Sequence, residues 1–191
     1  MITQAGANIT NQEEYSTSPR IGNLDKPLNH PATNTDDQLK AACKAHFQRR
    51  SGPGGQHRNK VETGVFLTHK ASGVESAAYE RRSQADNLKV ALRRMKLNLA
   101  IQIRTTRDSP SDLWRERCRK QRISINPNHA DFPALLAECL DFLAAEEWDP
   151  RATANRLNCT PSQLIRLLKR EPRAIQLLND EREARDLGRL K

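Results

Sequence analysis

The chain has 191 residues, enough for one or two domains with a core of useful size, and carries 32 Lys and Arg against 23 Asp and Glu, a net charge of +9. Four cysteines, Cys43, Cys118, Cys139 and Cys159, stand far apart with no CxxC pair, which argues against a disulfide framework or a cysteine zinc site. No apolar run reaches the roughly 18 residues of a membrane span, and the N-terminus, with Glu13-Glu14, lacks an apolar signal core. The expected compartment is the cytoplasm. The charge is uneven: residues 44–104 hold 13 basic and 4 acidic groups, whereas residues 126–191 hold 10 and 11. Positive charge gathered on one segment points to a polyanion, and RNA is the polyanion expected.

In chain order, residues 1–35 are rich in Asn, Thr, Ser and Pro and read as a disordered leader. A helix is predicted from Asp36-Asp37, acidic residues suited to a helix N-terminus, with Leu39, Ala42 and Cys43 inward. A short strand follows, with Ala45 and Phe47 on one face and His46, Gln48 and Arg50 on the other. After a glycine-rich stretch comes a second strand, in which Val61, Thr63, Val65 and Leu67 alternate with Glu62, Gly64, Phe66 and Thr68. A turn at Ala71-Ser72-Gly73 leads to a third strand near Val74–Tyr79. Residues 81–104 predict a helix of about 36 Å, with Leu88, Leu92, Met95, Leu99 and Ile103 as its apolar stripe.

From Thr105 to Asn128 the sequence reads as irregular. Trp114 heads five cations in the eight residues from Arg115 to Arg122. This run reads as an RNA-backbone contact with a stacking indole, or as a solvated linker with Trp114 anchored on the helix. Beyond it the pattern is all-helical. Asp149-Pro150, Thr160-Pro161 and Glu171-Pro172 mark helix starts, Thr160 and Gln163 fit a capping box, and Asp149 is a candidate cap for the helix before it. A short helix, a turn at Asn158-Cys159 and a second helix with Gln163, Arg166, Lys169 and Arg170 have helix-turn-helix form. The expected fold class is α+β: a small mixed or antiparallel sheet with a projecting loop packed on a long helix, then a helical C-terminal module. The expected divisions are a leader (1–35), a domain built around the Gly-Gly-Gln loop (36–106), a basic linker (107–128) and a helical accessory domain (129–191).

The candidate site is Ser51-Gly52-Pro53-Gly54-Gly55-Gln56-His57-Arg58-Asn59-Lys60. Glycine lets another backbone approach closely, so Gly54-Gly55 makes a turn with unshielded main-chain N–H groups. Gln56 does not titrate, yet it both donates and accepts hydrogen bonds, which suits placing a water or an oxyanion. Arg49, Arg50, His57, Arg58 and Lys60 surround it with cations, as a loop entering a phosphate-lined cavity requires.

These residues, followed by Thr63-x-Val65, Thr68-His69, Gly73-Val74 and Arg82-Ser83-Gln84-x-x-Asn87, closely resemble the catalytic domain of class I peptide-chain release factors. The resemblance runs from about Ala45 to Ile103. It implies hydrolysis of the peptidyl-tRNA ester in the ribosomal peptidyl-transferase centre, with Gln56 catalytic and Gly54 and Gly55 holding its conformation. It implies loop support and RNA contact by Arg49, Arg50, Ser51, His57, Arg58, Asn59 and Lys60, and by Arg81, Arg82 and Gln84 at the start of the long helix. The place of Arg58 is more often a small apolar residue in the family. No cofactor and no metal is expected, because hydroxyls of the tRNA sugar and ribosomal RNA would relay protons. The expected partners are the ribosome, ribosomal RNA and peptidyl-tRNA, with the chain acting as a monomer and no membrane involved.

Only about 44 residues precede the matching segment, too few for the decoding domains of stop-codon-reading factors. The expectation is a short, codon-independent hydrolase of the ribosome-rescue type. Its tail, Asn179 to Lys191, is mixed in charge and so departs from the basic tails of short rescue hydrolases. Release from detached large subunits or damaged ribosomes is a third reading. The rival from another class is an RNA- or ribosome-binding protein, or a helix-turn-helix nucleic-acid binder, without hydrolase activity. The near-neutral C-terminal region weighs against a self-sufficient DNA binder.

Overall fold

A computed structural model describes residues 20–21, 29–48 and 62–190. A two-residue strand β1 (Arg20–Ile21) pairs in parallel with β5 (Ile103–Arg104). A 3-10 turn over Pro31–Thr33 then leads to α1 (Asp36–Ala42). Thr35 and Gln38 close a full capping box at the start of α1. Strands β2 (Cys43–Gln48), β3 (Gly64–His69) and β4 (Glu75–Ala78) form an antiparallel sheet with β3 in the middle. The β3–β4 turn ends on Gly73 at φ 74°, a conformation that favours glycine. Helix α2 (Gln84–Gln102) crosses this sheet, and Ser76 Oγ donates to Ala91 O at 2.9 Å to tie the two layers.

Five further helices or hairpin strands follow the sheet and α2 before the last two helices. They are α3 (Asp112–Arg117), β6 (Cys118–Arg119), β7 (Arg122–Ile123), α4 (Phe132–Ala145) and α5 (Pro150–Arg156). The chain continues with α6 (Pro161–Leu168) and α7 (Pro172–Glu183). The fold is α+β, as the patterning predicts. Ala91, Leu92, Met95, Leu99 and Ala100 are buried on α2, a stripe wide enough to serve the sheet on one side and α4 on the other. Leu135, Leu136, Leu140 and Leu143 of α4 join the same continuous core.

Several expectations are corrected. Residues 29–35, assigned to the leader, are structured: His30 and Ala32 are buried under the end of α2. The rest of the leader, apart from β1, lies outside the described residues. Ala45 and Phe47 are exposed, because β2 is an edge strand and α2 lies over β3 and β4 instead. The long helix begins at Gln84, three residues late, since Ser83 takes the extended N-cap conformation and accepts from Asp86 N. Ile103 leaves the helix to enter β5.

The stretch 107–128 is not an irregular linker: it holds α3 and the β6–β7 hairpin. Trp114 is only 1% exposed, and its indole N–H donates to Leu157 O at 2.8 Å. It is therefore buried too deeply to stack on RNA, and it nails α3 to the turn after α5. Asp149 caps the helix after it, α5, by accepting from Arg151 N.

Candidate active site at the base of the glycine loop

The register of β2 and β3 pairs Gln48 with Gly64, so the two ends of the glycine-rich connection leave the sheet side by side. A Cβ on Gly64 would stand 3.0 Å from Gln48 O, which explains the glycine at this close crossing. The start of α2 then grips the returning strand. Asn87 is fully buried, and its Nδ2 donates to Thr63 O at 2.6 Å and to Arg81 O at 3.0 Å. Its Oδ1 accepts from Arg81 N at 2.9 Å. Every polar atom of this buried amide is used, so it fixes a main-chain position rather than waiting for a ligand. One turn earlier, Gln84 Nε2 donates to Glu62 O at 2.9 Å.

The cations divide into those spent on structure and those facing outward. Arg93 holds Pro127 O at 2.7 Å and Asn128 O at 3.0 Å. Arg94 pairs with Glu80 at 2.7 Å and also binds Ala77 O. The backbone N–H of Tyr79, foremost, and Arg94 hold the Glu80 carboxyl below its usual range. Lys96 pairs with Asp36 at 2.6 Å. Arg81 and Arg82 are exposed beside the loop base, with no carboxylate partner among the described residues. At the other edge, His46 and Gln48 are joined at 3.0 Å, and the His46 ring leans on Phe66.

Residues 37–129 match the RF-1 domain model.

Relatives agree with that placement. Over 68 residues the chain is 43% identical to "Peptide chain release factor 1" of Chlorobaculum tepidum, covering 35% of this chain and 19% of that protein. Over 88 residues it is 34% identical to "Peptide chain release factor 2" of Acidithiobacillus ferrooxidans, covering 41% and 24%. "Peptide chain release factor homolog" of Escherichia coli is 39% identical over 59 residues, covering 31% and 29%. The chain thus spans less than a third of the length of each of these relatives.

Within the matched segment, the site residues predicted from sequence fall into two groups. Arg49, Arg50, Ser51, Gly54, Gly55, Gln56, His57, Arg58, Asn59 and Lys60 lie outside the described residues. Arg81, Arg82 and Gln84 lie together at the loop base, where Gln84 is a main-chain clamp and the two arginines form the outer rim. The residue missed as a site member is Asn87. Its signal was present: an amide in the apolar register of α2, one turn before Ala91, needs buried partners.

The helices beyond residue 129 are joined to the matched segment through polar contacts as well as the core. Arg104 and Asp141 form a buried pair at 3.5 Å, and Thr105 donates to Asp141 from both its N–H and its hydroxyl. Burial raises the Asp141 carboxyl to about 6 against the pull of Thr105 and Arg104, and burial lowers the Arg104 guanidinium to about 10. Nearby, burial lowers His30 to about 4. Its neutral ring therefore donates from Nε2 to Ile103 O at 3.1 Å and accepts from Ala32 N at Nδ1. The helix-turn-helix reading is narrowed too. Gln163, a candidate groove-reading side chain, accepts from Ile123 N at 3.3 Å, and Leu164, Leu167 and Leu168 are buried.

Proposed function

We propose that this chain releases the nascent peptide by hydrolysing peptidyl-tRNA in the ribosomal peptidyl-transferase centre, without reading a stop codon, and so rescues stalled ribosomes. The observation that carries the reading is the match of residues 37–129 to the RF-1 domain, with Gly54-Gly55-Gln56 in the β2–β3 connection. The clamp formed by Asn87 and Gln84 supports it, since a loop that must enter a narrow RNA cavity benefits from a base with fixed take-off points. Beyond the matched segment the chain continues into helices packed on α2.

In this proposal the Gln56 backbone N–H donates to the oxygen on which charge develops as water attacks the ester carbonyl, as an oxyanion hole does. The Gln56 side chain admits and orients that water. Gly54 and Gly55 allow the backbone to approach the ester without Cβ atoms in the way. Protons pass through hydroxyls of the tRNA sugar and the ribosomal RNA, so no side-chain base is required. Arg81 and Arg82 neutralise phosphates at the loop base.

The test is peptide release from ribosomal complexes holding peptidyl-tRNA and no codon in the A site. The wild-type chain should release peptide, and Gln56→Ala, which keeps the backbone N–H but loses the water-orienting amide, and Gly55→Ala, which adds a Cβ at the approach, should each slow release by roughly tenfold or more. Equal rates for wild type and both variants would remove Gln56 from the mechanism. Tight ribosome binding without release would instead favour the non-hydrolytic RNA-binding reading.

A further inference from the structure

We infer that the β6–β7 hairpin is a second RNA-backbone contact, in which Arg119, Lys120 and Arg122 grip phosphates of ribosomal RNA. The inference rests on the ribosomal reading above for the identity of its partner, while the geometry stands independently. Five cations occur between Arg115 and Arg122, and the structure sorts them. Arg115 pairs with Asp112 at 2.8 Å, and Arg117 pairs with Asp131 at 2.6 Å. Arg119, Lys120 and Arg122 are exposed and have no carboxylate partner among the described residues.

The hairpin concentrates these three charges against local preference. Arg119 and Arg122 are register partners directly across the ladder, an arrangement in which like charges repel. The two tip residues, Lys120 and Gln121, both have positive φ, 49° and 60°, as a type I′ turn demands. Asn and Gly relieve that conformation; Lys and Gln do not. A sequence that puts a lysine at a strained tip between two facing arginines is not optimised for the isolated fold. A polyanion laid across the tip removes the repulsion and uses all three charges.

The hairpin is also rigidly mounted, which a phosphate clamp needs. Ile123 N–H is held by Gln163 of α6, Cys118 Sγ reaches Asn158 O at 3.5 Å, and Trp114 anchors α3 on Leu157 O. Arg166, three residues beyond Gln163 and exposed, extends the basic surface along the same side of α6. The α5–α6 pair therefore serves as a bracket for a basic hairpin rather than as a groove reader.

The experiment measures binding of the full chain to purified 70S ribosomes and to deproteinised large-subunit ribosomal RNA across a salt series. Arg119→Ala/Lys120→Ala/Arg122→Ala should weaken binding to both by about tenfold or more. It should lower the slope of log affinity against log salt by about 2, given roughly 0.7–0.9 per phosphate contact. Unchanged affinity and slope would overturn the inference. So would lost affinity for polyglutamate with RNA binding intact, which would assign the hairpin to an acidic protein. Lys120→Asn/Gln121→Gly keeps the turn and removes one cation, so it should lower the slope by about 1 even if the triple variant folds poorly. Binding is read without hydrolysis, so a failed hydrolysis assay leaves this binding result standing.

Discussion

At the scale of single residues, buried amides and charges set positions rather than do chemistry. Asn87 makes three hydrogen bonds from a fully buried side chain, two of them to the peptide group around Arg81 and one to Thr63 O. Asn87→Ala should destabilise the fold by about 2–3 kcal/mol, since it leaves buried main-chain groups unpaired. Denaturant titration measures this, and release should slow as well because the loop base loosens. His30 and Asp141 make a second, pH-dependent prediction. The folded pKa of His30 is depressed to about 4, so its contribution is complete above about 6.5 and is lost as pH falls through 4. The folded pKa of Asp141 is raised to about 6, so its contribution is complete below about 3.8 and is lost as pH rises through 6. The two shifts are each worth on the order of 3 kcal/mol and oppose one another. Wild-type melting temperature should therefore vary little between pH 6.5 and 4 on their account. Asp141→Asn removes the opposing ionisation, so its melting temperature should fall more steeply than wild type on acidification from pH 6.5 to 4.

At the scale of elements, the sheet strands and α2 were legible because period-two and helical apolar patterns fill real faces. Val65 and Leu67 are buried on β3, and Leu92, Met95 and Leu99 on α2. What pattern could not show was which neighbour covers a face. Ala45 and Phe47 alternate correctly but lie on an edge strand that α2 does not reach. The stretch from Asp112 to Ile123 was misread for a related reason: its charges masked a six-residue helix and a two-residue turn without glycine. Trp114, read as a stacking residue, is the apolar anchor of that unit. The β6–β7 tip offers a direct stability test. Lys120→Asn/Gln121→Gly should stabilise the chain by about 1–2 kcal/mol, because it removes two strained backbone conformations. A melting curve checks this. The same variant should bind RNA less tightly, so stability and function separate at the hairpin.

At the scale of the whole molecule, one core runs from the sheet through α2 to the C-terminal helices, with Arg93 holding residues 127–128 and Arg173 bound to Asn98 at 2.7 Å. The sequence suggested an accessory module beyond a linker because composition changes there. Long-range packing against α2 leaves no local trace in either segment. A chain truncated after residue 129 would uncover the side of α2 that α4 covers. It should be unfolded or aggregated by circular dichroism and size-exclusion chromatography, even though it retains the matched RF-1 domain. Release should be measured on ribosomal complexes that differ only in the A site: no codon, a sense codon or a stop codon. Release from the complex with no codon should depend on Gln56, with no further gain from a stop codon. Release that appears only when a stop codon is present would contradict codon-independent rescue.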